Sequence, residues 1–187
     1  MNTKTIAVIT IFAALTIVLN LSPIKIPAPY APYLIYQIWE IPIIAAFLLY
    51  GILVGVAIAL LNTLVLFAVF PGLLPTGPLY NLAAVISMLF GVFLVKMWTG
   101  RNPQKTAEPL EVTLSTVLGI VFRVGAMTLV NWAFLRFPPP VGFGMPEEAI
   151  VAALPLIAIF NATLALYTIP SGHVIAKAVK LGLKTPK

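Results

Sequence analysis

The chain contains few of the residues with which proteins perform catalysis or bind metals. Cysteine and aspartate are absent, and there is a single histidine. The polar side chains that interrupt the apolar stretches are mostly asparagines: Glu40, Asn62, Asn81, Arg123, Asn131 and Asn161. Because an amide group both donates and accepts hydrogen bonds, this set suits an uncharged flat heterocycle better than an ion or an acid. The sequence therefore predicts a site for a small uncharged molecule and no metal site.

The sequence motifs of common enzyme classes are missing. There is no GxxxxGK[ST] phosphate loop, no HExxH zinc motif and no GxSxG nucleophile elbow. A Ser–His pair could come only from Ser171 and His173, which flank the same Pro-Ser-Gly break. We therefore expect a binding protein rather than an enzyme, with any energy supplied by other subunits.

The composition is that of an integral membrane protein. Of the 187 residues, 61% are hydrophobic and only 9% are charged, whereas soluble domains carry about 25% charged residues. The net charge of +6 does not indicate nucleic-acid binding, because the basic residues stand at the ends of apolar stretches. The composition excludes a soluble monomer and predicts a cell-membrane protein.

The apolar stretches predict six membrane-spanning helices in one domain covering residues 1–187. A helix needs about 20 apolar residues to cross the bilayer. The tract at 33–70 is long enough for two spans, and Gly51 marks the turn between them. The predicted spans are residues 5–21, 33–50, 52–70, 79–98, 110–137 and 148–177, so the expected fold class is an all-α membrane bundle.

The basic residues predict that both termini face the cytoplasm. An even number of spans places most of them on one side: Lys4, Lys96, Arg101, Lys105, Lys177, Lys180, Lys184 and Lys187. Only Lys25 and Arg136 lie opposite, and Arg123 falls inside the fifth span. Cytoplasmic loops are enriched in such residues. The first apolar stretch lacks a small-residue cleavage site, so we interpret it as a retained span rather than a signal peptide.

In this topology several polar residues could converge on one pocket that opens outward. Glu40, Asn81 and Asn131 fall in the outer halves of their spans, and Asn161 lies nearer mid-depth. Four aromatic residues fall on the same side and could stack on a planar ligand: Tyr36, Trp39, Tyr80 and Trp132. The alternative is that the amides join helices through hydrogen bonds and that the aromatic residues form an interfacial belt.

The two ionisable residues within spans have structural alternatives. Arg123 could be the buried counter-ion of Glu40, or it could extend its charge to the membrane surface. Glu40 could also cap the second helix beside Pro42, since an acid is favourable at a helix N-terminus. Asn62 lies deep in the third span and is interpreted as structural.

Several short segments, taken in order, resemble one family of membrane proteins. They are Lys4–Ala14 in the first span, Tyr36-Gln-Ile-Trp-Glu-Ile-Pro42 before the second, Ala46–Gly51 with Val54-Gly55 around the turn, Gly77-Pro78 with Asn81, Asn131-Trp132, and Phe160-Asn161. On these segments the chain resembles the S components, the substrate-binding subunits of energy-coupling factor (ECF) vitamin transporters, and within them the riboflavin type. The resemblance covers nearly the whole chain.

The resemblance implies a six-helix bundle with a ligand pocket near the outer face, roofed by the first outer loop. It implies that Asn131 and Asn161 hydrogen-bond the polar edge of a flavin ring, with riboflavin as transported ligand and no cofactor. It also implies a transmembrane T component and two cytoplasmic ATPases as partners. The family's first helix docks on the T component through small residues at AxxxA spacing, and here those positions are Ala7, Thr10 and Ala14.

The sequence departs from the riboflavin pattern in ways that keep alternatives open. Leu164 and Asn62 stand where lysines are common, and Glu40 stands where the family usually has aspartate. One alternative is an S component for another flat, poorly charged vitamin or precursor. Another is a small stand-alone proton-coupled transporter that uses Glu40 and Arg123 as a switching pair. A third is an intramembrane hydrolase that uses Ser171 and His173.

Overall fold

The computed structural model describes residues 3–69, 74–101 and 107–184. Within these ranges there are six α-helices and a two-stranded hairpin: α1 (Thr3–Leu21), β1 (Ile26–Ala28), β2 (Ala31–Tyr36), α2 (Ile41–Tyr50), α3 (Ile52–Val69), α4 (Gly77–Arg101), α5 (Glu108–Phe134) and α6 (Glu147–Lys184). Five of the helices are long and apolar enough to cross a membrane, and the exception is α2. Lys105 and Lys187, two of the basic residues that predicted the topology, lie outside the described residues.

The predicted span at 33–50 is helical only in its second half. Residues 31–36 form a strand instead, which pairs antiparallel with β1 from Ile26↔Tyr36 to Ala28↔Ala31. The prolines of this region favour extended backbone and disfavour helix in the residues before them. Pro42 occupies the first turn of α2, where a proline is tolerated. The ten residues of α2 are about 15 Å long, half a membrane span, and the segment between α1 and α2 contains a two-stranded hairpin.

The other helices differ from the predicted spans mainly at their ends. The fifth helix stops at Phe134 rather than at residue 137, ahead of Pro138-Pro-Pro140. The sixth continues from Glu147 to Lys184 although Pro155 and Pro170 lie inside it. Its 38 residues are about 57 Å long, well beyond the ~30 Å of hydrocarbon that a span must cross.

The short helix α2 lies at the centre of the bundle. It packs against α3 and α6, and every residue from Pro42 to Leu48 is buried. A helix that is apolar on all sides is stable only when it is enclosed by other elements. Its isoleucines 43 and 44 join a core that contains Ile58 of α3, Met88 of α4 and Ile169 of α6. Burial of α2 thus explains why its sequence is unbroken by polar residues.

Helices α4 and α5 cross at two glycines, which have no side chains to hold the two backbones apart. A Cβ atom added at Gly91 would lie 2.5 Å from the carbonyl oxygen of Leu118. One added at Gly119 would meet Ile169 of α6. Close backbone approach at small residues is a common way for helices to associate in membranes. This crossing therefore brings α4, α5 and α6 into one tightly packed layer.

The contacts between these three helices show which of their residues lie at the same height in the bundle. Helix α5 runs antiparallel to both neighbours: Lys96 and Met88 of α4 contact Glu111 and Arg123, and Lys177 and Asn161 of α6 contact Glu108 and Arg123. At the opposite end, Leu34 of the hairpin and Tyr80 of α4 pack on a cluster formed by Leu135, Ile150, Ala153 and Ile157. We call this the hairpin end of the bundle.

Candidate functional site

A buried ion pair forms the centre of the polar site. The guanidinium of Arg123 donates from Nη1 to Glu40 Oε2 and from Nη2 to Glu40 Oε1, the latter at 2.9 Å. Its Nε donates to Asn161 Oδ1 at 3.0 Å, and Nη1 also lies 3.5 Å from the Met88 sulfur. Arg123 and Glu40 are each only 2% exposed. Arg123 is thus the counter-ion of Glu40 and does not extend to the membrane surface.

The half-length of α2 is what brings Glu40 to this depth. Glu40 occupies the N-cap position, yet its side chain makes no capping hydrogen bond, because both carboxylate oxygens are bound by Arg123. Non-helical backbone within a membrane is tolerated where protein surrounds it, and here α4, α5 and α6 supply the enclosing residues. The start of α2 is therefore held inside the bundle by charge pairing rather than by a side-chain cap.

The segment 36–40, which we call the strap, is fastened to α5 and α6 at three points. The Tyr36 ring lies 4.9 Å from the Phe160 ring, centroid to centroid. The Tyr167 hydroxyl donates to the Gln37 carbonyl oxygen at 2.5 Å, and Glu40 binds Arg123. The strap thus lies directly over the part of α6 that carries Asn161.

Replacing Tyr167 with phenylalanine is expected to loosen the strap without unfolding the bundle. The substitution removes one side-chain hydrogen bond, worth about 1 kcal/mol, so amide hydrogens at 38–41 should exchange about fivefold faster. Hydrogen–deuterium exchange mass spectrometry in detergent micelles measures this. Tyr33→Phe is the matched control, because the Tyr33 side chain is 63% exposed. Equal exchange in the two variants would show that the bond does not hold the strap.

Asn131 and Asn161 are both buried but lie at different levels. Asn161 is at the level of Arg123, and Asn131 follows Arg123 on α5 by eight residues, or about 12 Å toward the hairpin end. The Nδ2 atom of Asn131 donates to the Met127 carbonyl at 2.7 Å, and no hydrogen bond is found for its Oδ1 within the described parts of the chain. The two amides therefore line the interior at successive depths.

The other predicted ligand-binding residues do not gather around these two amides. Trp39 is 4% exposed and packs into the main core. Trp132 is 44% exposed, and the guanidinium carbon of Arg136 lies 4.7 Å from the centre of its ring. Asn81 is exposed, and the Tyr80 hydroxyl donates to the Val141 carbonyl at 2.9 Å. The predicted ligand-binding residues number eight: Tyr36, Trp39, Glu40, Tyr80, Asn81, Asn131, Trp132 and Asn161. Of these, the structure links Glu40 with Asn161 through Arg123, and Tyr36 joins them through the strap.

Two residues of the site were not predicted from the sequence. Tyr167 and Met88 contact the strap and the ion pair respectively. Tyr167 follows Phe160 by seven residues, which places both rings on one face of α6 after two turns. That spacing was a usable signal. Methionine carries no comparable signal, because it also fills apolar cores.

Two grooves on the surface of the described residues lie away from the predicted site, and none of the eight predicted ligand-binding residues lines them. The larger, of about 570 Å³, lies between α4 and α5 and is lined by Ala83, Ile86, Ser87, Phe90, Val121, Phe122, Gly125 and Ala126. The smaller, of about 170 Å³, lies beside Lys4, Thr5, Val8, Tyr50 and Val54. Among the described residues no group of three or more His, Asp or Glu could hold a metal ion.

The small residues predicted to dock on a partner form an exposed stripe on α1. Ala7, Thr10 and Ala14 are all exposed, whereas Ile9, Ala13 and Thr16 face the bundle. Thr10 donates its hydroxyl hydrogen to the Ile6 carbonyl of its own helix at 3.0 Å. The stripe is thus a flat surface with its polar group satisfied.

The fold is that of a known transporter subunit. A solved structure described as the S component of a bacterial ECF transporter is similar over 99% of this chain and 100% of the other, with a TM-score of 0.78 and 20% sequence identity. No protein-family model and no curated protein matches the sequence. At this identity the likeness establishes the fold.

Proposed function

We propose that the chain is the substrate-binding S component of an ECF-type importer and that its ligand is a vitamin, with riboflavin the leading candidate. The observation that carries the proposal is the fold likeness, which extends over essentially the full length of both chains. The proposed orientation has both termini in the cytoplasm and the hairpin end outside, in accord with the distribution of basic residues.

The proposed ligand-binding site is the interior beneath the strap. Ligand enters from the hairpin end, displaces the strap from Phe160, and meets Asn131 first and Asn161 deeper. Tyr36 and Phe160 are the aromatic faces available for stacking. Their rings are 4.9 Å apart, so a planar ligand inserts between them only after Tyr36 moves. Capture and strap movement are therefore one event in this proposal.

An uncharged ligand fits the electrostatics of this interior. Within the described residues, Glu40 and Arg123 are the only buried charged side chains, and they neutralise each other. Leu164, at the position where the riboflavin type has lysine, is 4% exposed and adds no charge. A ligand with an unpaired charge would find no counter-ion here and would pay a large desolvation cost. This supports riboflavin or another flat neutral vitamin.

The proposed partners are a transmembrane T component and two cytoplasmic ATPases. The sequence has no phosphate loop of its own, so ATP hydrolysis must come from other subunits. The exposed stripe Ala7, Thr10 and Ala14 on α1 is the proposed contact with the T component, because small residues allow close helix approach in a bilayer.

Flavin fluorescence tests the proposed function. Purified protein should quench riboflavin fluorescence saturably, and Asn131→Leu should weaken binding about 10- to 100-fold, because a ligand group loses its hydrogen-bond partner. The double variant Asn20→Leu/Asn62→Leu is the control: it removes both partners of the 3.3 Å bond between α1 and α3, outside the proposed site. It should bind normally.

Two outcomes would contradict the proposal at different levels. Absence of quenching by the wild-type protein would reject riboflavin as the ligand. Uptake by proteoliposomes that contain this chain alone, without any ATPase, would reject the S-component function and favour a stand-alone transporter.

A further inference from the structure

The amide of Asn161 is held in one orientation by Arg123. A guanidinium group can only donate hydrogen bonds, so the atom 3.0 Å from Arg123 Nε must be the amide oxygen. The amide nitrogen donates to the Ile157 carbonyl at 2.9 Å. With the amide turned over, an N–H would face the guanidinium and an oxygen would face a carbonyl oxygen. Both contacts would then be repulsive.

This orientation limits what Asn161 can offer to a ligand. Its oxygen is directed at the guanidinium, and one amide hydrogen is bound to Ile157. The second amide hydrogen remains free within the described residues, whereas the second lone pair of the oxygen lies beside the guanidinium charge, which makes it a poor acceptor. The adjacent guanidinium charge withdraws electrons from the amide through its oxygen and strengthens the remaining N–H as a donor, as neighbouring bonds do in polarised networks.

Asn131 offers the complementary group. One of its two amide hydrogens is bound to the Met127 carbonyl, and its oxygen makes no hydrogen bond to any described residue, so Asn131 can both donate and accept. A ligand that reaches both levels therefore meets an amide oxygen about 12 Å nearer the hairpin end and an amide N–H below it. Both asparagines can donate to a ligand, but only the Asn131 oxygen is not occupied by another described residue.

We propose that Arg123 is a positioning residue that makes Asn161 act as a hydrogen-bond donor, so that the ligand presents an acceptor, a carbonyl oxygen or a ring nitrogen, at its inner end. Glu40 serves this arrangement by neutralising Arg123, so that no net charge stands beside the ligand. The inference rests on the proposed function, because it assigns the ligand chemistry of the same site.

Three variants test the proposal with riboflavin as the probe. Asn161→Asp keeps an oxygen toward Arg123 but has no N–H, and it should bind riboflavin about 10- to 100-fold more weakly. The double variant Glu40→Leu/Arg123→Leu removes both charges together, which is often neutral for stability, but leaves the Asn161 amide held only by its bond to the Ile157 carbonyl. Its affinity should fall about tenfold while its melting temperature is retained.

The third variant separates positioning from stability. Asn62→Ala leaves Asn20 without its partner and should lower the melting temperature with no change in riboflavin affinity. If Arg123 were merely structural, affinity would follow melting temperature across the three variants. That correlation would overturn the proposal, as would riboflavin binding by Asn161→Asp within twofold of the wild-type protein.

A ligand-free measurement keeps the test independent of riboflavin. In protein labelled with 15N-asparagine, the Asn161 side-chain signal is the one absent from Asn161→Asp. Its hydrogens should exchange with water at least tenfold faster in Glu40→Leu/Arg123→Leu than in the wild-type protein. Unchanged exchange would overturn the positioning role. Failure of the wild-type protein to bind riboflavin, with the exchange result as expected, would reject only the proposed ligand.

Discussion

Replacing Glu40 alone with leucine is expected to destabilise the protein by about 3–5 kcal/mol, the cost of leaving one member of a buried ion pair unpaired. Arg123 would keep its charge, since a guanidinium is not deprotonated in proteins, and it is 2% exposed. It would retain only Asn161 and the Met88 sulfur as partners. Unfolding in mixed detergent micelles, followed by circular dichroism, measures the loss.

The double variant Glu40→Leu/Arg123→Leu is the control for this prediction. It removes the same carboxylate but leaves no charge behind, so most of the lost stability should return. A double variant as unstable as Glu40→Leu would mean that the bidentate contact itself, rather than an uncompensated charge, accounts for the loss. Equal stability of the single variant and the wild-type protein would show that the pair is not buried in the bilayer-embedded molecule.

Replacing Gly91 with alanine is expected to separate α4 from α5 and to cost about 1–3 kcal/mol, as overpacking does in other cores. The new methyl group would lie 2.5 Å from the Leu118 carbonyl oxygen and 2.8 Å from the Gly119 nitrogen. These are backbone atoms, which cannot move away as a side chain can. The melting temperature of the purified variant in detergent measures the effect.

Gly125→Ala is the matched control on the facing helix. It lines the groove between the same two helices, and a Cβ atom there meets nothing within 4 Å. Alanine is favoured over glycine in helices by about 1 kcal/mol, so this variant should be as stable as the wild-type protein or more so. If both variants lower the melting temperature equally, the close crossing at Gly91 is not what limits the packing.

The long helices could be predicted from the sequence. A helix satisfies its backbone hydrogen bonds internally, so a long apolar stretch is sufficient to indicate a membrane span. The helices α1, α3 and α4 begin and end within about three residues of the predicted spans wherever the ends are described. The start of α2 could not be predicted in this way. Residues 33–40 continue directly into the apolar tract that ends at residue 70. Prolines on either side of them and pairing with β1 make residues 31–36 a strand and leave residues 36–40 as the strap.

The candidate site was predictable in its residue types but not in its pairings. Glu40 and Arg123 are 83 positions apart, and the sequence leaves open whether the arginine is a counter-ion or extends to the membrane surface. Only the depth of α2 decides between them. Trp39 illustrates the opposite difficulty: a large aromatic residue beside a predicted pocket is, in the structure, part of the apolar core, because the strap turns inward before α2 begins.

The half-length of α2 has a consequence for how the molecule could move. Since the helix begins at Ile41, the strap joins its backbone hydrogen bonds only at its end, where the Glu40 carbonyl accepts from Ile44 and the Ile38 carbonyl accepts from Ile41. A displacement of residues 36–39 would exchange the Tyr36 ring contact, the Tyr167 hydroxyl bond and the backbone bond of Ile38, while Glu40 stays bound to Arg123 and to the helix. The bundle thus keeps Glu40 as a fixed anchor, and residues 36–39 are the part of the strap that could move without breaking the ion pair that stabilises the fold.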